Sequence, residues 1–204
     1  SASRAWQCGH PTNRRPRGGR QLGLPSSPIT RTPATNWVRF IFMKKILTWE
    51  ELKKVVELRR KEGKTIVFTN GCFDILHVGH VRYLQEARKM GDLLILGLNS
   101  DASVRAIKGE KRPLVPQAER AEVIASLTTV DYVTLFDETT PLRLIEFLQP
   151  DCLVKGGDWK EASVVGRDLV RSWGGRVVIV PLTEGASTTN IVEKILQAYG
   201  KNLK

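Results

Sequence analysis

The chain has 204 residues, 41% of them hydrophobic and 26% charged, with a net charge of +11. This is the make-up of a globular protein of one or two domains, and it excludes collagen-like, mucin-like and wholly disordered chains. No apolar run approaches the ~18–20 residues of a membrane helix, since Leu93 to Leu98 and Val177 to Pro181 have only strand length.

Residues 1 to 42 carry seven arginines and neither lysine nor acid, hence +7, together with five of the ten prolines and the run Arg14-Arg15-Pro16-Arg17-Gly18-Gly19-Arg20. Such a segment buries too little apolar surface to offset its ordering entropy, so a disordered basic tail is expected. Its richness in Arg and lack of acids suit a transit peptide, but Pro and Gly would break the amphipathic helix such a peptide uses. A nucleic-acid-binding arm is a second reading. We adopt a third, an upstream leader, because Met43-Lys44-Lys45-Ile46-Leu47 reads as a natural start just before the first helix. From Met43 onward 25 Lys+Arg face 21 Asp+Glu, so the basicity lies mostly in the tail. Residues 43–204 are expected to form one domain.

Thr48-Trp49-Glu50-Glu51 is a capping box that opens a helix to about Lys61, where Gly63 stops it. Short, mostly apolar runs with strand character follow at 64–70, 92–98, 131–136, 151–155 and 176–181. Helical stretches alternate with them at about 78–90, 116–127, 140–148 and 164–173, and a last one lies near 188–199. Strands that are apolar throughout belong to a parallel sheet covered on both faces. The expected fold is therefore α/β: a Rossmann-like, doubly wound, five-stranded parallel sheet. Ligands in such sheets bind beyond the carboxyl ends of the strands, where the strand order reverses. The loops leaving the strands at Asn70, Leu98, Lys155 and Pro181 share that side.

The sharpest motif is His77-Val78-Gly79-His80, after the first buried strand. Spacing of three puts both imidazoles on one face of a helical turn. A helix N-terminus attracts phosphate through its free N–H groups and dipole, and Gly79 removes a side chain that would hold a ligand off the backbone. A capped or packed histidine pair is the plainer alternative; zinc would need a third ligand that is not nearby. The loop Lys108-Gly109-Glu110-Lys111-Arg112-Pro113 is by itself a solvated charge run. Beside the histidine helix it offers cations to neutralise a triphosphate and its leaving pyrophosphate, Lys108 first and Arg112 next. Arg120, on the following helix, reads either as a holder of the acceptor's phosphate or as a surface arginine. Ser187-Thr188-Thr189 opens the last helix with hydroxyls and free N–H groups, a second phosphate cradle. Cys72 reads as a small residue that lets a ligand approach the backbone rather than as a nucleophile. With Cys8 and Cys152 it makes an odd, widely spaced set without C-x-x-C, which suits a reducing, cytoplasmic setting.

The run from Thr69 to His80, T-N-G-C-F-D-I-L-H-V-G-H, resembles the signature of the cytidylyltransferase-like nucleotidyltransferases. Within that superfamily Asn99-Ser100-Asp101, the Lys108 to Pro113 loop, Lys155-Gly156-Gly157-Asp158 and Ser187-Thr188-Thr189-Asn190-Ile191 are similar to the D-glycero-β-D-manno-heptose 1-phosphate adenylyltransferases of lipopolysaccharide assembly. The resemblance spans residues 43 to 204. It implies that His77 and His80 bind the triphosphate and stabilise the transition state, that Lys108 assists, and that Ser187 and Thr188, with Thr189 beside them, hold nucleotide phosphates. It places the backbone of Gly71, Cys72 and Phe73, with Asp158, at the nucleoside, and Asp74 and Arg120 on the sugar-phosphate side, where Asn99, Arg112 and Lys155 are also counted. It implies Mg²⁺ as the companion of ATP, and pairing into a homodimer. The sugar kinase fused to many relatives is not found in this sequence, so a stand-alone adenylyltransferase is expected.

Leu182-Thr183-Glu184-Gly185 has Leu where related glycerol-phosphate cytidylyltransferases carry Arg, and Gly156-Gly157-Asp158 replaces their G-D-D. Loss of the arginine fork weakens the case for CTP, so ATP is favoured. The expected reaction is attack by a sugar 1-phosphate oxygen on the α-phosphorus of ATP, with pyrophosphate departing. A cytidylyltransferase acting on glycerol 3-phosphate is the alternative. A nucleic-acid-binding module, a tRNA synthetase fragment sharing H-x-G-H and a binding-only relative are rivals from other classes. None explains the phosphate loops as economically, and neither nucleic acid nor membrane is an expected partner.

Overall fold

In a computed structural model, which describes residues 44–157, 161–181, 183 and 185–200, the capping box at Thr48 closes in both directions. The Glu51 N–H donates to Thr48 Oγ1, and the Thr48 N–H donates to the Glu51 carboxylate. It starts α1 (Trp49–Lys61), with Glu50 and Glu51 in the first turn and Arg59, Arg60 and Lys61 in the last, charges that suit the helix dipole. There follow β1 (Ile66–Gly71), α2 (Val78–Arg88), β2 (Leu93–Asn99), α3 (Asp101–Lys108), α4 (Gln117–Ala125), β3 (Tyr132–Phe136), α5 (Leu142–Leu148), β4 (Cys152–Gly156), a 3₁₀ turn (Glu161–Ser163), α6 (Arg167–Ser172), β5 (Arg176–Val180) and α7 (Thr188–Tyr199).

All five strands are parallel, in the order β3-β2-β1-β4-β5. Every residue of β2 is buried, because alternate side chains enter two different cores. Leu94, Leu96 and Leu98 pack with Leu84 and Ala87 of α2 and Ile124 of α4. Leu93 and Ile95 pack with Leu52 and Val56 of α1 and Leu144 and Leu148 of α5. The doubly wound parallel sheet read from the sequence is thus the observed fold.

Two local features differ from the sequence reading. Asn99-Ser100-Asp101 is not a free turn but the entry to α3, where Ser100 Oγ accepts from the Ser103 N–H and Gly109 at φ +92° ends the helix. Eight residues are shorter than the window over which a helical period can be read, although the helix is amphipathic. The stretch expected as a helix from Val164 to Trp173 shortens to α6, because Gly166 takes φ +88° immediately before it.

The strand order reverses between β1 and β4, and there the sheet parts. Among the described residues these strands are in register through Val67 with Cys152 and Phe68 with Leu153 alone. Beyond that point side chains span the seam. The Tyr83 hydroxyl lies 2.5 Å from Thr69 Oγ1 and donates to the Val154 carbonyl at 3.1 Å, and Lys155 Nζ donates to Asn70 Oδ1 at 2.5 Å.

Candidate active site

The seam opens into a cleft at the carboxyl ends of the strands, as a switch point should. The cleft has two joined lobes. A lobe of about 340 Å³ is lined by His77, His80, Thr183, Ala186, Ser187 and Thr188. A lobe of about 730 Å³ is lined by Asp74, Asn99, Lys108, Arg112, Thr188 and Thr189. Asn70, Gly71, Cys72, Phe73, His80 and Lys155 belong to both walls.

The loop after β1 turns sharply because Phe73 takes φ +44°, a left-handed conformation uncommon for a bulky residue. Its ring folds back over Gly71, where a Cβ would stand 2.9 Å from the aromatic carbons, and rests against His80 with centroids 4.9 Å apart. His77 is the extended N-cap of α2 and makes no side-chain cap bond. Its imidazole stacks on that of His80, centroids 3.8 Å apart and planes 22° from parallel. Both Nδ1 atoms are buried without a hydrogen-bond partner. Burial lowers the pKa of each ring; for His80 burial and the neighbouring His77 bring it to about 4, against a hydrogen bond to the Ile75 backbone that acts the other way. At neutral pH the pair presents N–H donors and free ring nitrogens rather than charge. Gly79 serves packing more directly than ligand access: a Cβ there would lie 3.0 Å from the His77 ring and 3.1 Å from Ala186 Cβ.

On the α7 side, Ser187 Oγ is an ordinary N-cap that accepts from the Asn190 N–H at 3.0 Å. Its own hydroxyl hydrogen stays available to donate. Thr188 reaches both lobes and Thr189 the larger one. Lys108 is the exposed last residue of α3. Asn99 is buried and donates from Nδ2 to Ser103 Oγ. Burial pulls the Lys155 ammonium down to about 8, and pushes the Cys72 thiol up.

Two sequence assignments need correction. Arg120 is neither on the surface nor in the cleft: it is 1% exposed and lines neither lobe. Its guanidinium donates to the carbonyls of Val115, Cys72 and Asn99 and pairs with Asp101 at 2.7 Å, so it ties together the loops after β1 and β2 instead of holding a phosphate. Asp74 borders the larger lobe, but its carboxylate accepts the N–H groups of Leu114 and Val115 and pairs with Arg112 at 2.8 Å. It fixes the basic loop rather than offering free oxygens to a sugar. Asp158 and Trp159, with Leu182 and Glu184, lie outside the described residues. The sequence reading placed Asn70 at the mouth of the site without a role for its side chain, and gave none to Thr139 and Thr140, which line the larger lobe just after β3. Their signal was position: every strand of such a sheet delivers its following loop to the same rim.

The family model described as Cytidylyltransferase-like matches residues 68–194, from β1 into α7. The chain belongs to the cytidylyltransferase-like family. This cytidylyltransferase-like chain is 61% identical over 155 residues to the bifunctional protein HldE of Syntrophotalea carbinolica, covering 76% of this chain and 32% of that protein. It is 60% identical over 157 residues to HldE of Geobacter metallireducens, covering 77% and 32%. The chain therefore spans about a third of the length of these relatives. Among solved structures, the lipopolysaccharide core biosynthesis protein of Thermoplasma volcanium aligns with TM-score 0.51 and 29% identity, over 61% of this chain and all of that one. Pantothenate synthetase of Thermus thermophilus shares the fold at TM-score 0.50 and 17% identity, over 72% of this chain and 67% of that one.

Proposed function

We propose that this cytidylyltransferase-like domain transfers AMP from ATP to a sugar 1-phosphate, D-glycero-β-D-manno-heptose 1-phosphate, releasing pyrophosphate and an ADP-sugar. The observation that carries this reading is the meeting of the imidazole pair, the Ser187-Thr188 helix start and the Lys108, Arg112 and Lys155 cations around one cleft. High identity to proteins named HldE, and likeness to one described as a lipopolysaccharide core biosynthesis protein, support the choice of sugar. Leu182 in place of an arginine supports ATP over CTP.

An oxygen of the acceptor phosphate attacks the α-phosphorus, the bond from that phosphorus to the bridging oxygen breaks, and pyrophosphate leaves with the electron pair. The nucleophile is already an anion at neutral pH, so no covalent enzyme intermediate is needed. The protein's work is alignment and neutralisation. Neutral imidazoles donate hydrogen bonds to phosphate oxygens as charge builds, and the basic loop offsets the charge of the leaving group. Mg²⁺ belongs to this reading only as the companion of ATP. No group of three His, Cys, Asp or Glu among the described residues is arranged to hold it, and Asp74 has its oxygens engaged. No helix among the described residues is long and apolar enough to cross a membrane.

A pyrophosphate-release assay of ATP and CTP, each against heptose 1-phosphate and glycerol 3-phosphate, tests the proposal. ATP with heptose 1-phosphate should give the highest kcat/KM of the four. A preference for CTP with glycerol 3-phosphate would reverse both substrate assignments.

A further inference from the structure

Where β1 and β4 part, both lobes of the cleft share a wall, and phosphates held one in each lobe come together there. The polar groups common to the two lobes come from Asn70, Cys72, His80, Lys155 and Thr188. Burial keeps the His80 imidazole neutral at pH 7 and the Cys72 thiol protonated. Lys155 is then the one full charge among these shared residues. Lys108 and Arg112 line the larger lobe alone, and Arg112 is already paired with Asp74.

The Lys155 ammonium is half-buried and, among the described residues, forms no ion pair with a carboxylate. Its hydrogen bond is to Asn70 Oδ1, which leaves two of its three N–H donors for a ligand. A cation drawn out of water without a counter-ion loses solvation that an arriving anion restores. Asn70 fixes where the cation stands, since it is the residue directly across the seam.

We infer that Lys155, steadied by Asn70, is a catalytic residue whose ammonium contacts the α-phosphate of the nucleotide and the attacking acceptor phosphate together at the junction of the two lobes. This rests on the nucleotidyl-transfer reading above and gives Lys155 a specific place in its chemical step. Lys155 gives up no proton in the step; it lowers the repulsion between two anions brought to bonding distance. Asn70 is a positioning residue.

The charge of Lys155 is set among neighbours that matter for its pH dependence. From the loop after β1 the Cys72 thiol bears on it, and from α2 the His77 and His80 imidazoles and the Tyr83 phenol share its lobe. Across the larger lobe stand Lys108 and the mutually paired Asp74 and Arg112. Below pH about 8 the free protein carries the ammonium, and above it the amine. The active, charged form is thus lost as pH rises.

Three variants test this with ATP and heptose 1-phosphate. Lys155→Met keeps the stem and removes the charge, so its melting temperature should equal or exceed that of the wild type. Its kcat should fall about 100-fold or more. The wild-type kcat/KM for ATP should decline above pH about 8; Lys155→Arg should keep part of the rate and carry that decline to higher pH, and Lys155→Met should lack it. Asn70→Ala should lower kcat while keeping the decline. Calorimetric titration with ATP reads the same contact without an acceptor: the wild type should bind more weakly at about pH 9.5 than at pH 7, and Lys155→Met equally weakly at both. A Lys155→Met protein with wild-type kcat/KM, or one whose ATP affinity keeps the wild-type pH dependence, would overturn the inference. If heptose 1-phosphate is not turned over while the ATP titrations behave as stated, the acceptor assignment fails and the lysine contact stands.

Discussion

His77 and His80 stack ring on ring at 3.8 Å, and neither Nδ1 finds a partner within the protein. A buried polar atom left unpaired costs free energy that a ligand can recover. In the proposed reaction the exposed edges of the two rings face the phosphate oxygens. Replacing either histidine by Ala should therefore slow turnover by about 10² or more, the scale of losing a donor aimed at the transition state. The fold should survive, because neither ring supplies a hydrogen bond that α2 needs. Single-turnover rates together with circular dichroism check both halves of this expectation.

The same burial makes the domain acid-sensitive. The unfolded chain has an ordinary histidine, while folded His80 takes up its proton only near pH 4. Between the two values the unfolded state binds more protons, so stability is fully present above about pH 6.5 and declines as pH falls toward 4. The loss from this one group is at most about 3 kcal/mol, reduced by its partial exposure. His80→Asn should flatten that part of the stability profile in urea denaturation series at stepped pH. An unchanged slope would show that other groups govern it.

Arg120 makes a sharper structural claim. Three carbonyls and one carboxylate depend on a guanidinium that is 1% exposed. Arg120→Met leaves those acceptors and Asp101 without their partner, which should cost about 3–5 kcal/mol. Arg120→Lys should rescue little, since a single ammonium cannot reproduce the planar fork. Denaturant midpoints measure the loss. In whatever fraction stays folded, the KM for the acceptor should be close to that of the wild type, which a phosphate ligand would not allow.

Arg120 and Asp74 also show where sequence legibility ends. Alternating apolar runs and helices state the doubly wound sheet, because burial on both faces leaves its mark on every residue of β2 and on most of β1. The H-x-G-H spacing states the imidazole pair, because three residues of helix fix the angle between two side chains. Charge, by contrast, does not say which way it points. Arg120 reads as a surface or ligand residue until the loops that it joins, 48 residues apart at Cys72, are seen to meet. Asn70 and Lys155 are 85 residues apart, and only the pairing of β1 with β4 makes them neighbours. Short α3 was hidden for the opposite reason: its information is a single cap at Ser100.

Asp74 holds the basic loop at three points, the N–H groups of Leu114 and Val115 and the guanidinium of Arg112. Asp74→Asn keeps an Oδ1 that accepts from both N–H groups but replaces Oδ2, the partner of Arg112, with an amide that cannot pair with a cation. The loop that carries Lys108 to the cleft should then loosen. Turnover should fall by about tenfold or more, since misplacement of a charged group by an ångström has effects of that order. Limited digestion with trypsin should show faster cleavage after Lys108 and Lys111 than in the wild type. Unchanged cleavage with reduced turnover would instead make Asp74 a direct substrate contact.

Gly79 tests how tightly the histidine pair is held. A methyl group there would meet the His77 ring at 3.0 Å and Ala186 Cβ at 3.1 Å, and relief must come from one of them. His77 has no side-chain cap bond to hold it, and Ala186 lies in the segment just before α7, so either response alters the small lobe. Gly79→Ala also adds helix propensity within α2, where glycine costs about 1 kcal/mol relative to alanine. Stability should thus change by little while turnover falls by about tenfold. That separation, a near-constant melting temperature with a lowered kcat, distinguishes displacement of the imidazole from general damage to the fold. Equal losses in both would mean that the glycine serves α2 packing alone.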